Sequence, residues 1–284
     1  MRWTPGRDSS DIEDRRAQSG GGGFRLPGGR MGLVGLVVLL VLSVVFRQNF
    51  FSLVGIGSDS SSVPAGPVQA SPEEEKLKQF IGFVLDDVQA TWDSLLPAEG
   101  GTPYEHAHLV LFRDAIESAC GFAQAASGPF YCPGDHKVYV DLGFYQELKE
   151  RFGAPGDFAQ AYVLAHEIGH HVQLLVGTEA KVRSLQGSRP AEANQLSVRF
   201  ELQADCYAGV WGHSASRRGE LETGDVAEGL NAAAAVGDDR IQRMSTGRVS
   251  PEDFTHGTAQ QRASWFQRGL STGRISACDT FSAP

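Results

Sequence analysis

Basic charge, cysteine and long apolar runs are all scarce in this chain. Its 284 residues carry 25 Lys and Arg against 34 Asp and Glu, a formal net charge of −9. With no basic stripe to offset that balance, nucleic acid is excluded as a partner. There are only four cysteines, Cys120, Cys132, Cys206 and Cys278. A single run concerns a membrane, residues 31–46, MGLVGLVVLLVLSVVF. Elsewhere the composition is ordinarily globular, 41% hydrophobic and 21% charged over the whole chain. That is enough chain for one large domain or two small ones, with a core that folds unaided.

What is present is concentrated in residues 161–175, AYVLAHEIGHHVQLL, which carry H-E-x-x-H at His166, Glu167 and His170. A helix turns about 100° per residue, so two histidines four apart stack on one face and can grip one metal ion. Glu167 follows the first of them and points beside the metal, where a carboxylate takes a proton from water attacking a carbonyl. The helix is bounded by Gly153, Pro155 and Gly156, with Asp157 as the expected N-cap and Gly177 as the C-terminal stop. Gly169 in its interior costs about 1 kcal/mol relative to Ala, which predicts that another backbone approaches closely there.

A second segment, residues 197–212, SVRFELQADCYAGVWG, again sets two acids four apart, Glu201 and Asp205. Apolar neighbours make isolated carboxylates costly, so both are expected to have partners. Glu201 completes a His, His, Glu set for Zn2+, one per chain, leaving a fourth position for water. Asp205 is then expected to accept the free ring N–H of a ligand histidine.

HEIGHHVQ followed by RFELQADCYAGVW resembles the neutral zinc metallopeptidase family of bacterial membrane-anchored proteins, zincins that use Glu as third ligand. CGFAQAASGPFYCPGDHKVYVDLGFY, HGTAQQRASWF and CDTF match that pattern too, and the similarity covers about residues 74–281. The resemblance implies His166, His170 and Glu201 as zinc ligands and Glu167 as catalytic base. It implies an α+β, zincin-like metallopeptidase domain, mostly helical with a small antiparallel or mixed sheet, acting on a peptide or protein substrate. The alternative is a catalytically inactive membrane-anchored chaperone or scaffold that retains the fold.

Taken in order, residues 1–30 are polar and glycine-rich and are expected to be a disordered cytoplasmic tail. Residues 31–56 read as a transmembrane signal anchor. Arg2, Arg7, Arg15, Arg16, Arg25 and Arg30 precede the run and only Arg47 follows it before Lys76. That bias places the N-terminus in the cytoplasm and the domain outside a single-pass cell membrane. Residues 57–71 form a Ser/Pro linker, and 72–284 the metallopeptidase domain, opened by an amphipathic helix over residues 72–96.

The even cysteine count, on the oxidising side of a membrane, favours two disulfides. Three pairings are open; Cys120 with Cys132 is the natural local bridge, leaving Cys206 with Cys278. KVYVD at 137–141 alternates as a strand, and the resemblance to zincins implies Val138–Asp141 as the edge that pairs with an extended substrate. His106, His108, His136, His171 and His213 read as structural or solvated. His256 is either an oxyanion donor or a helix cap.

Overall fold

The computed structural model describes residues 1–6, 8–18, 70–125 and 128–282. The expected anchor at 31–56 and nearly all of the linker lie outside the described residues. Among those described, no helix is long and apolar enough to cross a membrane. The architecture is α+β, helix-rich around a small mixed sheet.

The helices are α1 (Pro72–Leu95), α2 (Gly143–Glu150), α3 (Asp157–Leu175), α4 (Thr178–Ser188), α5 (Ala193–Arg218), α6 (Asp225–Ala235), α7 (Asp238–Thr246) and α8 (Ala259–Thr272). The strands are β1 (Ile12–Asp14), β2 (His108–Phe112), β3 (Ala115–Ser118), β4 (Gly121–Gln124), β5 (Phe130–Cys132) and β6 (Lys137–Asp141). The four-stranded sheet runs β1-β2-β6-β5, with β1, β2 and β6 parallel and β5 antiparallel to β6; β3 and β4 form a separate hairpin.

Strand alternation divides the interior. Leu109, Leu111, Val138 and Val140 face the helices, joining Ile81, Val84, Leu85 and Trp92 of α1 and Leu164, Ile168 and Val172 of α3. Val110, Phe112 and Tyr139 face the other way, where Ile116 and Cys132 pack against them. Ser71 caps α1 by accepting the Glu74 N–H at 3.1 Å.

Two expectations are overturned here. Residues 1–6 and 8–18 are not a disordered tail: β1 pairs with β2, and the Arg16 side chain is buried among Asp14, Glu74 and Glu75. Charges that look solvated in sequence are spent on ion pairs, and a strand as short and polar as IED has no apolar period to betray it. The β6 strand is also not an edge. It lies between β2 and β5, so the outer strand on the α3 side is β5. Smaller shifts follow the same logic. Gly156, at φ 119°, occupies the N-cap of α3 and Asp157 is its first helical residue, while Gly177, at φ 77°, stands between the end of α3 and the start of α4.

Both disulfides form, Cys120–Cys132 and Cys206–Cys278. Glycine governs how the long helices meet. A Cβ on Gly169 of α3 would come within 3.0 Å of the Ala204 carbonyl on α5, as the interior glycine predicted. Where α5 crosses α8, a Cβ on Gly209 would strike the Phe266 carbonyl, and one on Gly269 the Cys206 carbonyl. Gly269→Ala is therefore expected to destabilise the fold by about 1–3 kcal/mol through overpacking. Urea unfolding beside Gly187→Ala, where a Cβ meets nothing within 4 Å, provides the control.

Candidate metal centre

The crossing of α3 and α5 brings the two sequence motifs together. His166 and His170 project from one face of α3, their rings 4.8 Å apart and nearly perpendicular. Glu201 of α5 sits between them, Oε2 lying 3.1 Å from His166 Nε2 and Oε1 lying 3.5 Å from His170 Nε2. One donor atom from each of the three lies within 4.8 Å of the others.

The remaining ring nitrogens are already engaged. His166 Nδ1 is 2.9 Å from Asp205 Oδ1, and His170 Nδ1 is 2.8 Å from Gln173 Oε1. An oxygen behind each ring fixes its Nδ1, so each Nε2 is the nitrogen turned toward the Glu201 side. Gln173 is held in turn, donating to the Phe200 carbonyl at 2.7 Å and to Gln203 at 3.1 Å. Gln203 donates to the Cys278 carbonyl at 3.0 Å, so the second disulfide reaches the site through two glutamines. The His170 ring stacks on Phe200 at 5.0 Å.

Asp205 is wholly buried. Arg262 of α8 grips it with both forks, Nε to Oδ2 at 2.8 Å and an η-nitrogen to Oδ1 at 2.9 Å, and the Tyr162 hydroxyl donates to Oδ1. Burial alone would raise the Asp205 pKa, but Arg262 and His166 outweigh it and hold it below the usual carboxylate range. Burial also opposes the His166 imidazolium, yet Asp205 and Glu201 prevail and lift His166 to about 10. Glu201, despite its burial, is held far down by His170 and His166. Glu167, 8% exposed, is pushed up by burial and pulled back by His166 and His170.

Three converging donors of two imidazoles and one carboxylate, with both tautomers fixed from behind, suit zinc and leave a position for a non-protein ligand.

The other sequence candidates fall outside this cluster. His106 bridges Asp11 and Asp93 at 2.8 and 3.0 Å, tying β1's approach to α1. His171 is pinned between Tyr131 and the Glu105 carbonyl, and burial takes it down to about 4. His256 is held by Asp238, which also accepts the backbone N–H groups of residues 255, 256 and 257. Sequence reasoning missed Arg262, Tyr162 and Gln173. Tyr162 precedes His166 by four and Gln173 follows His170 by three, so both lay on the readable helical face. Arg262 is 96 residues from His166, and its one signal was its place in HGTAQQRASWF, a family match that assigned it no role.

The family model described as "Putative neutral zinc metallopeptidase" matches residues 1–281. The chain belongs to this family. The uncharacterised protein YpfJ of Escherichia coli K12 is 49% identical to it over 291 residues, covering 99% of each chain. An uncharacterised protein of Mycobacterium tuberculosis H37Rv, Rv2575, is 47% identical over 209 residues, covering 70% of this chain and 68% of its own. No solved structure matches.

Two outcomes follow for metal binding. Zinc requires His166 neutral, so binding displaces a proton; apparent affinity should rise about tenfold per pH unit from pH 6.5 to 8.5. Chelator competition at three pH values measures this, and a flat profile would contradict it. Asp205→Asn should weaken zinc by about 10–100-fold in the same assay.

Proposed function

We propose that the protein is a zinc-dependent peptidase in which His166, His170 and Glu201 hold one Zn2+ and Glu167 is the general base. The observation that carries this reading is the Glu201 carboxylate lying against the Nε2 atoms of both histidines while Asp205 and Gln173 occupy the opposite ring nitrogens. Zinc bound there would polarise a substrate carbonyl and lower the pKa of water to about 7. Glu167 takes a proton from the attacking water onto its carboxylate and delivers it to the leaving amine nitrogen. Its burial supports this role, since a carboxyl raised above its ordinary range is better matched to both transfers. Asp205, neutralised by Arg262, keeps the His166 ring from turning.

An extended peptide would be held by β5. That strand ends the sheet on the side of α3, and its Tyr131 reaches His171, the residue after the second motif histidine. Adding a strand there lays a peptide backbone beside the motif helix. The two disulfides favour an oxidising compartment, so we place the domain outside the cytoplasm, with residues 31–56 as its membrane attachment.

Glu167→Gln tests the assignment directly. The variant should retain one zinc per chain and lose peptide hydrolysis by about 10²–10⁴-fold, the range for a missing general base. Cleavage of a peptide library at the wild-type rate by the zinc-loaded variant would contradict it.

A further inference from the structure

Residues 1–6 and 8–16 are built into the domain. β1 runs in register along β2, Ile12 against Leu109, Glu13 against Val110 and Asp14 against Leu111. The ladder continues beyond both ends, with the Leu109 N–H donating to the Asp11 carbonyl and the Arg15 N–H to the Leu111 carbonyl, each at 2.8 Å. Arg16, 4% exposed, donates to Asp14, Glu74 and Glu75 at 2.6, 2.9 and 2.7 Å. Ser9 Oγ donates to Asp86 at 2.6 Å, Gln89 Nε2 donates to Asp11 at 2.8 Å, and the Trp3 ring lies 5.4 Å from Phe80. Apart from Asp14, every one of these partners stands on the other side of residues 31–46 in sequence.

Detaching the segment would open a sheet edge along β2 and take Arg16 from Glu74 and Glu75, leaving Glu74 with Arg113 and Glu75 with Lys78. A segment that crosses a bilayer once holds its two flanks about 30 Å of hydrocarbon apart. Flanks hydrogen-bonded into one sheet cannot meet that condition. We propose that residues 1–16 and 72–282 lie on the same side of the membrane, so that residues 31–46 do not part them. The arginine bias that pointed to a cytoplasmic N-terminus loses force by the same contacts. Arg15 is paired with Glu13 and Arg16 with three carboxylates, so neither is a free cation for a leaflet to retain. This inference goes beyond the peptidase reading and stands whether or not the protein cleaves peptides.

The test uses the full chain in membranes of intact cells. All four native cysteines are in disulfides, so one added cysteine is the sole thiol. Ser10→Cys and Gln267→Cys, both at exposed positions, are labelled with a membrane-impermeant maleimide before and after permeabilisation. The two should behave alike, both reacting in intact cells or both only after permeabilisation. Reaction of one without the other in intact cells would overturn the proposal. A second measurement joins Ser9→Cys to Asp86→Cys, whose native side chains touch. After cleavage at a protease site placed among residues 58–69, the N-terminal fragment should stay attached on a non-reducing gel. Its release without reductant would overturn the proposal equally.

Discussion

Asp205 is an ionised carboxylate with no exposure to solvent, and much of the molecule is arranged around keeping it satisfied. Taking such an ion out of water costs several kcal/mol unless its lone pairs are filled with good geometry. Here they are filled by Tyr162 and His166 of α3 and by the two-pronged Arg262 of α8, while Asp205 itself belongs to α5. Three helices must therefore meet at one point. Gly169, Gly209 and Gly269 let their backbones close in, and the Cys206–Cys278 bridge pins α5 to the C-terminal segment one residue beyond Asp205.

The chemistry of the site follows from that meeting. With Asp205 fixed, His166 has one allowed tautomer and one orientation, and Gln173 does the same for His170. Glu201 lies one helical turn before Asp205, so the residue that anchors the first histidine from behind also sets the register of the carboxylate in front of it. A site held this way is organised before any ligand arrives. Glu167, on the same helix as both histidines, is buried by the same packing, which ties its basicity to helix assembly rather than to a local contact.

Much of this centre was legible because it is built from helical periodicity. The i, i+4 spacing of His166 with His170 and of Glu201 with Asp205 puts each pair on one face, and that geometry survives into the fold. Gly169 announced a close backbone, and Ala204 is the backbone it meets. The cysteine pairing was open between three arrangements and resolved to the one in which the local bridge forms. What stayed hidden depends on contacts between distant segments. Arg262 sits in HGTAQQRASWF, a stretch that matches the family but does not say which distant carboxylate its guanidinium meets. β1 has three residues and two charges, too few and too polar for a period to emerge. The place of β6 inside the sheet could not be read either, since alternation marks a strand but does not reveal how many neighbours it has.

The central claim is that the chain holds zinc through two imidazoles and one carboxylate with a further position left for a non-protein ligand. X-ray absorption at the zinc edge, on full-length protein loaded with one equivalent, addresses it most directly. The expected shell has two nitrogen donors at about 2.0–2.1 Å, oxygen donors at about 2.0–2.2 Å and no sulfur, with one imidazole lost in His170→Ala and an oxygen lost in Glu201→Ala. A closed shell of four protein ligands, a sulfur donor near 2.3 Å, or a spectrum unchanged in Glu201→Ala would contradict it.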